Sequence, residues 1–344
     1  MSGELFVRHD TEYEYSSQLA FAQHLAYLQP LDAPGQEVRE FALQINPPPV
    51  RMSHGYDVFG NHRTYFSLTR PHQGLHVRTQ SRVRLESRFE HLDVSRSPPW
   101  EEVCRNLRFV AGAPYQEASE FCFASPYVPR ERVLREYAQA SFAAGAPLLA
   151  GALDLMHRIH RDFRYDATST DVTTTVLEAF AARAGVCQDF SHVMIACLRS
   201  LGVAARYVSG YLHTQARFAP ALSASQRPAQ SQSQSQSQTP SESRALSQTQ
   251  SLSQTPADAL APLPLLEREP AVIGTDASHA WVAVHCPALG WVEFDPTNDA
   301  IPGTGHVRLA SGRDYGDVAP LRGVVQGGGE HGLRVAVAII AVDG

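Results

Sequence analysis

Phe190, Val193, Met194, Cys197, Leu198 and Leu201 fall at the i, i+3, i+4, i+7, i+8, i+11 positions of one helical face. No other pattern in the chain constrains the fold as strongly. It predicts a helix that starts at Cys187, closes at Gly202 and is buried along one face, so another layer must cover it. Upstream, Thr175-x-x-Glu178 reads as a capping box that opens a shorter helix with Val176, Leu177 and Phe180 on one side. Gly185 is the expected left-handed stop between the two helices. Cys187 would then lie on the first turn of the buried helix, where unpaired backbone N–H groups and the helix dipole favour a thiolate. Cys197, on the same helix, sits mid-length on the core face and reads as a small buried hydrophobe. What separates Cys187 from it is a base.

That base is expected downstream. Asp276 to Val284 alternates as a strand, with Ala280, Val282 and Val284 on one face and His279, Trp281, Ala283 and His285 on the other. Pro287-Ala-Leu-Gly290 signals a turn, and Trp291-Val-Glu-Phe-Asp295 a second strand ended by Pro296. Register decides the chemistry. With His285 opposite Trp291, Asp295 falls opposite Trp281 and becomes a diagonal same-face neighbour of His279; a slip of one residue would separate them. A thiol on a helix start, a histidine to take its proton and a carboxylate to orient the histidine together make an activated nucleophile.

Gly185-Val-Cys187-Gln-Asp-Phe-Ser-His, Gly202-Val-Ala-Ala-Arg-Tyr-Val-Ser-Gly-Tyr211, Asp276-Ala-Ser-His279-Ala-Trp and Gly290-Trp-Val-Glu-Phe-Asp295-Pro-Thr-Asn298 resemble the core of the bacterial transglutaminase-like proteins, which belong to the papain-like thiol enzymes. This core resemblance runs from about residue 150 to 300. Asp57-Val-Phe-Gly-Asn61 and the Arg313 to Gly323 segment resemble flanking parts of the same family. The resemblance implies Cys187 as nucleophile, His279 as base and Asp295 as orienter. It also implies an α+β fold: a papain-like transglutaminase core, in which the cysteine helix packs on an antiparallel sheet carrying the histidine and aspartate, preceded by an N-terminal β-rich domain.

Aromatic and alternating segments punctuated by turns fill residues 3 to about 90, as in a sandwich or barrel-like domain. Helical patterns follow at Trp100 to Val110, Arg130 to Phe142 and Gly151 to Phe163. The expected division is 1–97 for the β-rich domain and 98–310 for the core. A C-terminal strand region, 311–344, should pack on the β-structure through Gly332 to Val342. From about 214 to 270 the chain becomes rich in Ser, Gln, Pro and Ala, too poor in apolar residues to fold alone, and reads as a disordered insert in a surface loop. Between Asn298 and Arg313 only loops are expected.

A net charge of −6 argues against an overall nucleic-acid footprint, and no apolar run approaches a membrane span. The N-terminus lacks the basic and apolar regions of a signal peptide. Five widely spaced cysteines without a CxxC pair fit a reducing compartment better than a disulfide framework, so a cytoplasmic protein is expected. The histidines of the first hundred residues lack ligand spacing, and no metal or cofactor is expected. A zinc site built from the triad with His285 or Cys286 is disfavoured, because those two neighbours on a strand face opposite ways. All 29 basic residues are arginine; the chain has no lysine.

The expected function is thiol-dependent amide acyl transfer through a Cys187 thioester, on a glutamine side chain or peptide amide of a protein or peptide substrate. The alternative within the same chemistry is a cysteine peptidase or amidase, in which water resolves the thioester. The alternative of another class is a non-catalytic binding or scaffold protein, against which an intact Cys/His/Asp set argues. Tyr165 either packs as a lone aromatic or lies near the thiol and helps stabilise an oxyanion beside the Cys187 N–H.

Overall fold

The computed structural model describes residues 2–108, 110–112, 114–170, 174–213 and 278–342. The predicted insert therefore lies outside the described residues. In chain order the elements are strands β1 (Ser2–Ala26), β2 (Gln36–Asn46), β3 (Arg51–Tyr56), β4 (His62–Leu68) and β5 (His72–Glu86), then helices α1 (Trp100–Asn106), α2 (Arg132–Gln139) and α3 (Leu148–Asp162). They continue through β6 (Arg164–Tyr165), α4 (Val176–Ala182), β7 (Ala184–Gly185), α5 (Cys187–Leu201), β8 (Ala205–Leu212), β9 (Ser278–Cys286), β10 (Gly290–Phe294), β11 (His306–Gly312), α6 (Tyr315–Val318), β12 (Leu321–Gly327) and β13 (His331–Val342). No helix among the described residues is long and apolar enough to cross a membrane.

The fold is α+β, as expected. β1 organises the β-rich N-terminal region. Its first half pairs with β5 on one side and β13 on the other; its second half pairs with β4 and β12. Through Ser16-Ser17 the chain runs on as one strand that changes partners, with a register shift between Glu14 and Leu19. Leu19, Ala22, Phe66, Leu68, Leu75 and Val77 form the apolar core of this region. The C-terminal strands thus complete the sheet that the N-terminal strand begins.

The second sheet has the order β10-β9-β8-β11 and is antiparallel throughout. α5 lies on it. Phe190, Val193, Met194, Cys197 and Leu198 of the helix share one core with Ala280, Val282 and Val284 of β9 and Val292 and Phe294 of β10. The helix is buried along almost its whole length, and Arg199 is buried with it. Its guanidinium donates to the carbonyls of Ala205, Phe123 and Arg313 and to Ser125 Oγ, which satisfies a charge that would otherwise be costly to bury.

Two expectations need correction. The loop predicted between Asn298 and Arg313 contains β11. The left-handed residue ending α4 is Arg183, at φ 52°, and not Gly185. Gly185 sits in β7, where a Cβ would come within 2.5 Å of the Asp189 carboxylate, so its lack of a side chain serves a close approach.

β11 is an outer strand of its sheet, and the N-terminal region covers it with amide side chains. Asn61, fully buried, donates from Nδ2 to the Ser311 carbonyl and accepts from the Ser311 N–H, both at 2.8 Å. Gln36 does the same for Arg308: Nε2 donates to its carbonyl at 2.8 Å and Oε1 accepts its N–H at 2.8 Å. Each amide substitutes for a neighbouring strand. Asp57 holds Asn61 in place by accepting from its N–H and from its Nδ2.

Candidate active site

The hairpin has the register that the chemistry requires: Trp291 pairs with His285 and Val292 with Val284. Beyond the ladder, Asp295 and Ala300 exchange backbone hydrogen bonds at 2.9 and 3.2 Å, so the carboxylate leaves from a fixed turn. His279 Nε2–H donates to Asp295 Oδ2 at 2.7 Å. The Cys187 side chain lies close enough to the imidazole to act on it, raising the His279 pKa together with Asp295. The structure thus brings Cys187, His279 and Asp295 together in one chain of contacts.

Cys187 stands at the start of α5. Two residues on, Asp189 turns back and accepts the Val186 N–H at 2.8 Å and the Thr170 hydroxyl at 2.7 Å, fixing the helix entrance. Of the five free cysteines, Cys187 alone is partly exposed; Cys104, Cys122, Cys197 and Cys286 are buried. Burial pushes the Cys104 and Cys197 thiols up to about 12 and Cys122 to about 11, which makes them inert at neutral pH. Tyr165 pairs with Gly185 through the short parallel β6–β7 ladder and keeps an exposed side chain near the thiol.

Asp295 is fully buried. Burial alone would raise its pKa. The hydrogen bonds from His279, His306 and Asn298 overcome this and hold it well below the usual carboxylate range. Asn298 Nδ2 donates to Oδ2 at 2.7 Å, and the N–H groups of Thr297 and Asn298 donate to Oδ1 at 3.0 and 3.2 Å. For His279, burial would lower the pKa, but the Asp295 and Cys187 side chains raise it above its ordinary 6.5. Two neighbouring carboxylates have other partners: Asp189 fixes the helix entrance, and Asp299 pairs with His157.

His306 went unpredicted. It is the first residue of β11, and its Nε2 donates to Asp295 Oδ2 at 3.2 Å. Its ring meets Trp281 edge-on at 5.2 Å between centroids. In the tautomer that donates to Asp295, Nδ1 is a buried acceptor without a hydrogen-bond partner. The available signal was the alternation of Val307-Arg-Leu309, a short strand hidden between Gly-rich segments. Donor atoms of His279, Asp295 and His306 lie within 4.8 Å of one another, a spacing that could hold a metal ion. His285 and Cys286 are not in that set. Here the three residues are joined by hydrogen bonds through the shared carboxylate oxygen.

Gly210 of β8 lies opposite His279, and a Cβ there would meet the Trp281 ring at 2.4 Å. Trp281 can therefore lie flat on the sheet beside His279, with ring centroids 5.9 Å apart. On the other side of α5, His192 Nε2 accepts the Tyr315 N–H at 3.1 Å and its ring stacks on Tyr127. This contact ties the Arg313-Asp-Tyr segment to the cysteine helix.

Comparison with known proteins agrees with this architecture. Residues 5–84 match the bacterial transglutaminase-like N-terminal region, and residues 135–296 match the transglutaminase-like superfamily. Uncharacterized proteins of Mycobacterium tuberculosis and Mycobacterium bovis are each 32% identical over 98% of this chain and 93% of their own length. One from Mycobacterium leprae is 28% identical over 97% of both chains. Among solved structures, a candidate cysteine protease from Cytophaga hutchinsonii has the same fold, with a TM-score of 0.64 and 17% identity over all of this chain and 92% of that one. The chain belongs to the transglutaminase-like superfamily.

Proposed function

We propose that the protein is a thiol acyl-transfer enzyme in which Cys187 is the nucleophile, His279 the base and Asp295 the group that orients it. One observation carries this reading: the single partly exposed cysteine lies beside a histidine whose Nε2 donates to a buried carboxylate. His279 takes the thiol proton, and Cys187 Sγ forms a bond to the carbonyl carbon of a glutamine side chain or peptide amide. The tetrahedral intermediate collapses with cleavage of the C–N bond, and His279 returns the proton to the leaving amine. The product is a Cys187 thioester. An amine or water then attacks it, giving a new amide or a carboxylic acid and the free thiol. The Cys187 N–H and the nearby Tyr165 hydroxyl are the groups we assign to the oxyanion.

His306 and Asn298 act through Asp295. They hold its carboxylate toward His279 and favour its ionised state, which in turn favours a protonated imidazole. Hydrolysis, as in a peptidase or amidase, differs only in what attacks the thioester. Five unpaired thiols fit a reducing compartment, and on that ground we assign the protein to the cytoplasm.

The test is iodoacetamide at pH about 6, where only a thiol activated by its surroundings reacts fast. A single fast-labelled peptide containing Cys187, lost in Cys187→Ala, is the expected result. Uniform slow labelling would turn the protein into a scaffold. Trapping the acyl-enzyme from a glutamine-containing peptide, then comparing release by water with release by a small primary amine, separates hydrolysis from transfer.

A further inference from the structure

The face of the second sheet that carries His279 bears another group of convergent charges, beyond Trp281. Arg206 of β8 and Glu293 of β10 both flank Ala283 of β9, and Trp291 lies opposite His285. Between these residues and the loop at residues 31–34 is a cavity of about 340 Å³. Arg206, Arg308 and, at its exposed rim, Arg88 line it; the lining contains one carboxylate, Glu293.

The pairing of these charges is incomplete. Arg308 Nε is 3.6 Å from Glu293 Oε1, beyond hydrogen-bond distance, while its Nη2 donates to the Pro34 carbonyl at 3.0 Å. Arg206 stacks its guanidinium on the Trp291 ring, 4.3 Å from the centroid. The Nε atoms of both arginines are buried without a hydrogen-bond partner. Burial lowers the pKa of Arg206 to about 10; Arg308 adds to the fall, while Glu293 and, more weakly, Glu117 oppose it. A network serving stability alone would give each buried guanidinium donor an acceptor, since an uncompensated buried charge is costly. Contrast Arg199, whose donors all find carbonyls or a hydroxyl.

We infer that this cavity is a binding site for a small molecule, or the end of a chain, that carries a carboxylate or phosphate group. Arg206 and Arg308 take the anionic group through their planar donor forks. Trp291 and Val208 supply the apolar wall, and Trp291 holds the Arg206 plane for a bidentate approach. A cavity of this volume suits a small ligand or one terminal residue. The site is separate from the Cys187 chemistry, and the inference does not depend on the acyl-transfer reading.

Thermal unfolding and calorimetric titration of the intact wild-type protein decide it. The probes are inorganic phosphate, succinate, and a short acetylated peptide with either a free or an amidated C-terminus, each against sodium chloride of equal ionic strength. Saturable binding with a rise in Tm by at least one anion is expected, because a ligand that binds only the folded state stabilises it. A response to phosphate alone marks a phosphoryl ligand. A response to succinate or to the free-terminus peptide, absent for the amide, marks a carboxylate. Arg206→Met should weaken the responding probe by at least about tenfold, with the apo Tm kept or raised because an unpaired buried charge is gone. If that variant does not fold, Arg308→Gln is expected to weaken the same probe. No saturable response from any probe on the wild type overturns the site, as does undiminished binding in the folded variants.

Discussion

The two faces of the four-stranded sheet are built from the same strands by opposite rules. On one face Ala280, Val282, Val284, Val292 and Phe294 meet the apolar side of α5. Stabilisation there scales with area removed from water, and each residue contributes its share almost independently. On the other face, beside Trp281, His279, Asp295 and His306 form a chain of hydrogen bonds in which each polar group depends on its partner. Removing one of them leaves another buried and unsatisfied. Mutations of one face should therefore read out in stability and mutations of the other in chemistry.

The sharpest separation comes from the two cysteines of α5. Cys187→Ala should abolish thioester formation, a loss of about 10⁴-fold or more in kcat, because no other group can form the bond. Its unfolding free energy should stay near wild type, since the site is partly exposed at a helix start. Asp295→Asn comes next, at about 10³-fold in kcat, as the amide no longer favours the protonated imidazole. A larger loss in Asp189→Asn or Asp299→Asn would assign the orienting role elsewhere.

The same variant has a stability signature. His279 has a raised folded pKa, so its contribution is complete below the ordinary 6.5 and fades as pH rises through the raised value. Asp295 has a lowered one, so its contribution is complete above the ordinary 3.8 and fades as pH falls below it. The gap in unfolding free energy between wild type and Asp295→Asn should be widest between those two ordinary values and narrow on either side. A gap that is flat across the whole range would mean that the two groups are not coupled in the fold.

His306→Ala should cost about tenfold in kcat with little change in KM, the cost of a misaligned catalytic group. It should also move the pH–rate profile, because Asp295 loses a donor. His306→Gln, whose amide can still donate, should recover part of both. A variant with lowered Tm but an unmoved profile would make His306 a purely structural residue. In the apolar layer, Cys197→Ala should cost about 1 kcal/mol by chemical denaturation with near-normal kcat. Asn61→Leu, which strands the Ser311 backbone pair, should cost about 1–3 kcal/mol. The smallest effect is expected from deleting residues 222–256. Tyr211 and Ser278 lie opposite each other in the β8–β9 ladder, so shortening their connection does not have to move either strand. Activity lost on that deletion would make the insert a working part of the site.

The apolar face was the more legible of the two. Period-3.6 spacing identifies α5, alternation identifies β9 and β10, and the turn at Pro287 to Gly290 sets the pairing that puts Asp295 near His279. The helix cap at Thr175 is visible because both of its partners are local; Glu178 Oε2 accepts the Thr175 N–H at 2.8 Å. What the sequence hid depends on distant contacts. β11 has few residues between its glycine-rich flanks, and its partners, Asn61 and Gln36, lie some 250 and 272 residues earlier. Gly185 looks like a helix stop, and only the packed Asp189 carboxylate reveals why it must be small. β1 stays one continuous strand because its two halves change partners.

That continuous strand has a kinetic consequence. Val7 is paired both with Ser81, which is made soon after it, and with Ile339, which is made much later. The first half of the strand must keep one edge open through synthesis of everything in between. Closure of that edge is therefore a late, high-separation step, expected to be slow relative to hairpins such as β9–β10. During that interval the exposed edge of β1, with Phe6 and Val7 on it, is the part of the nascent chain most in need of protection from pairing with another copy.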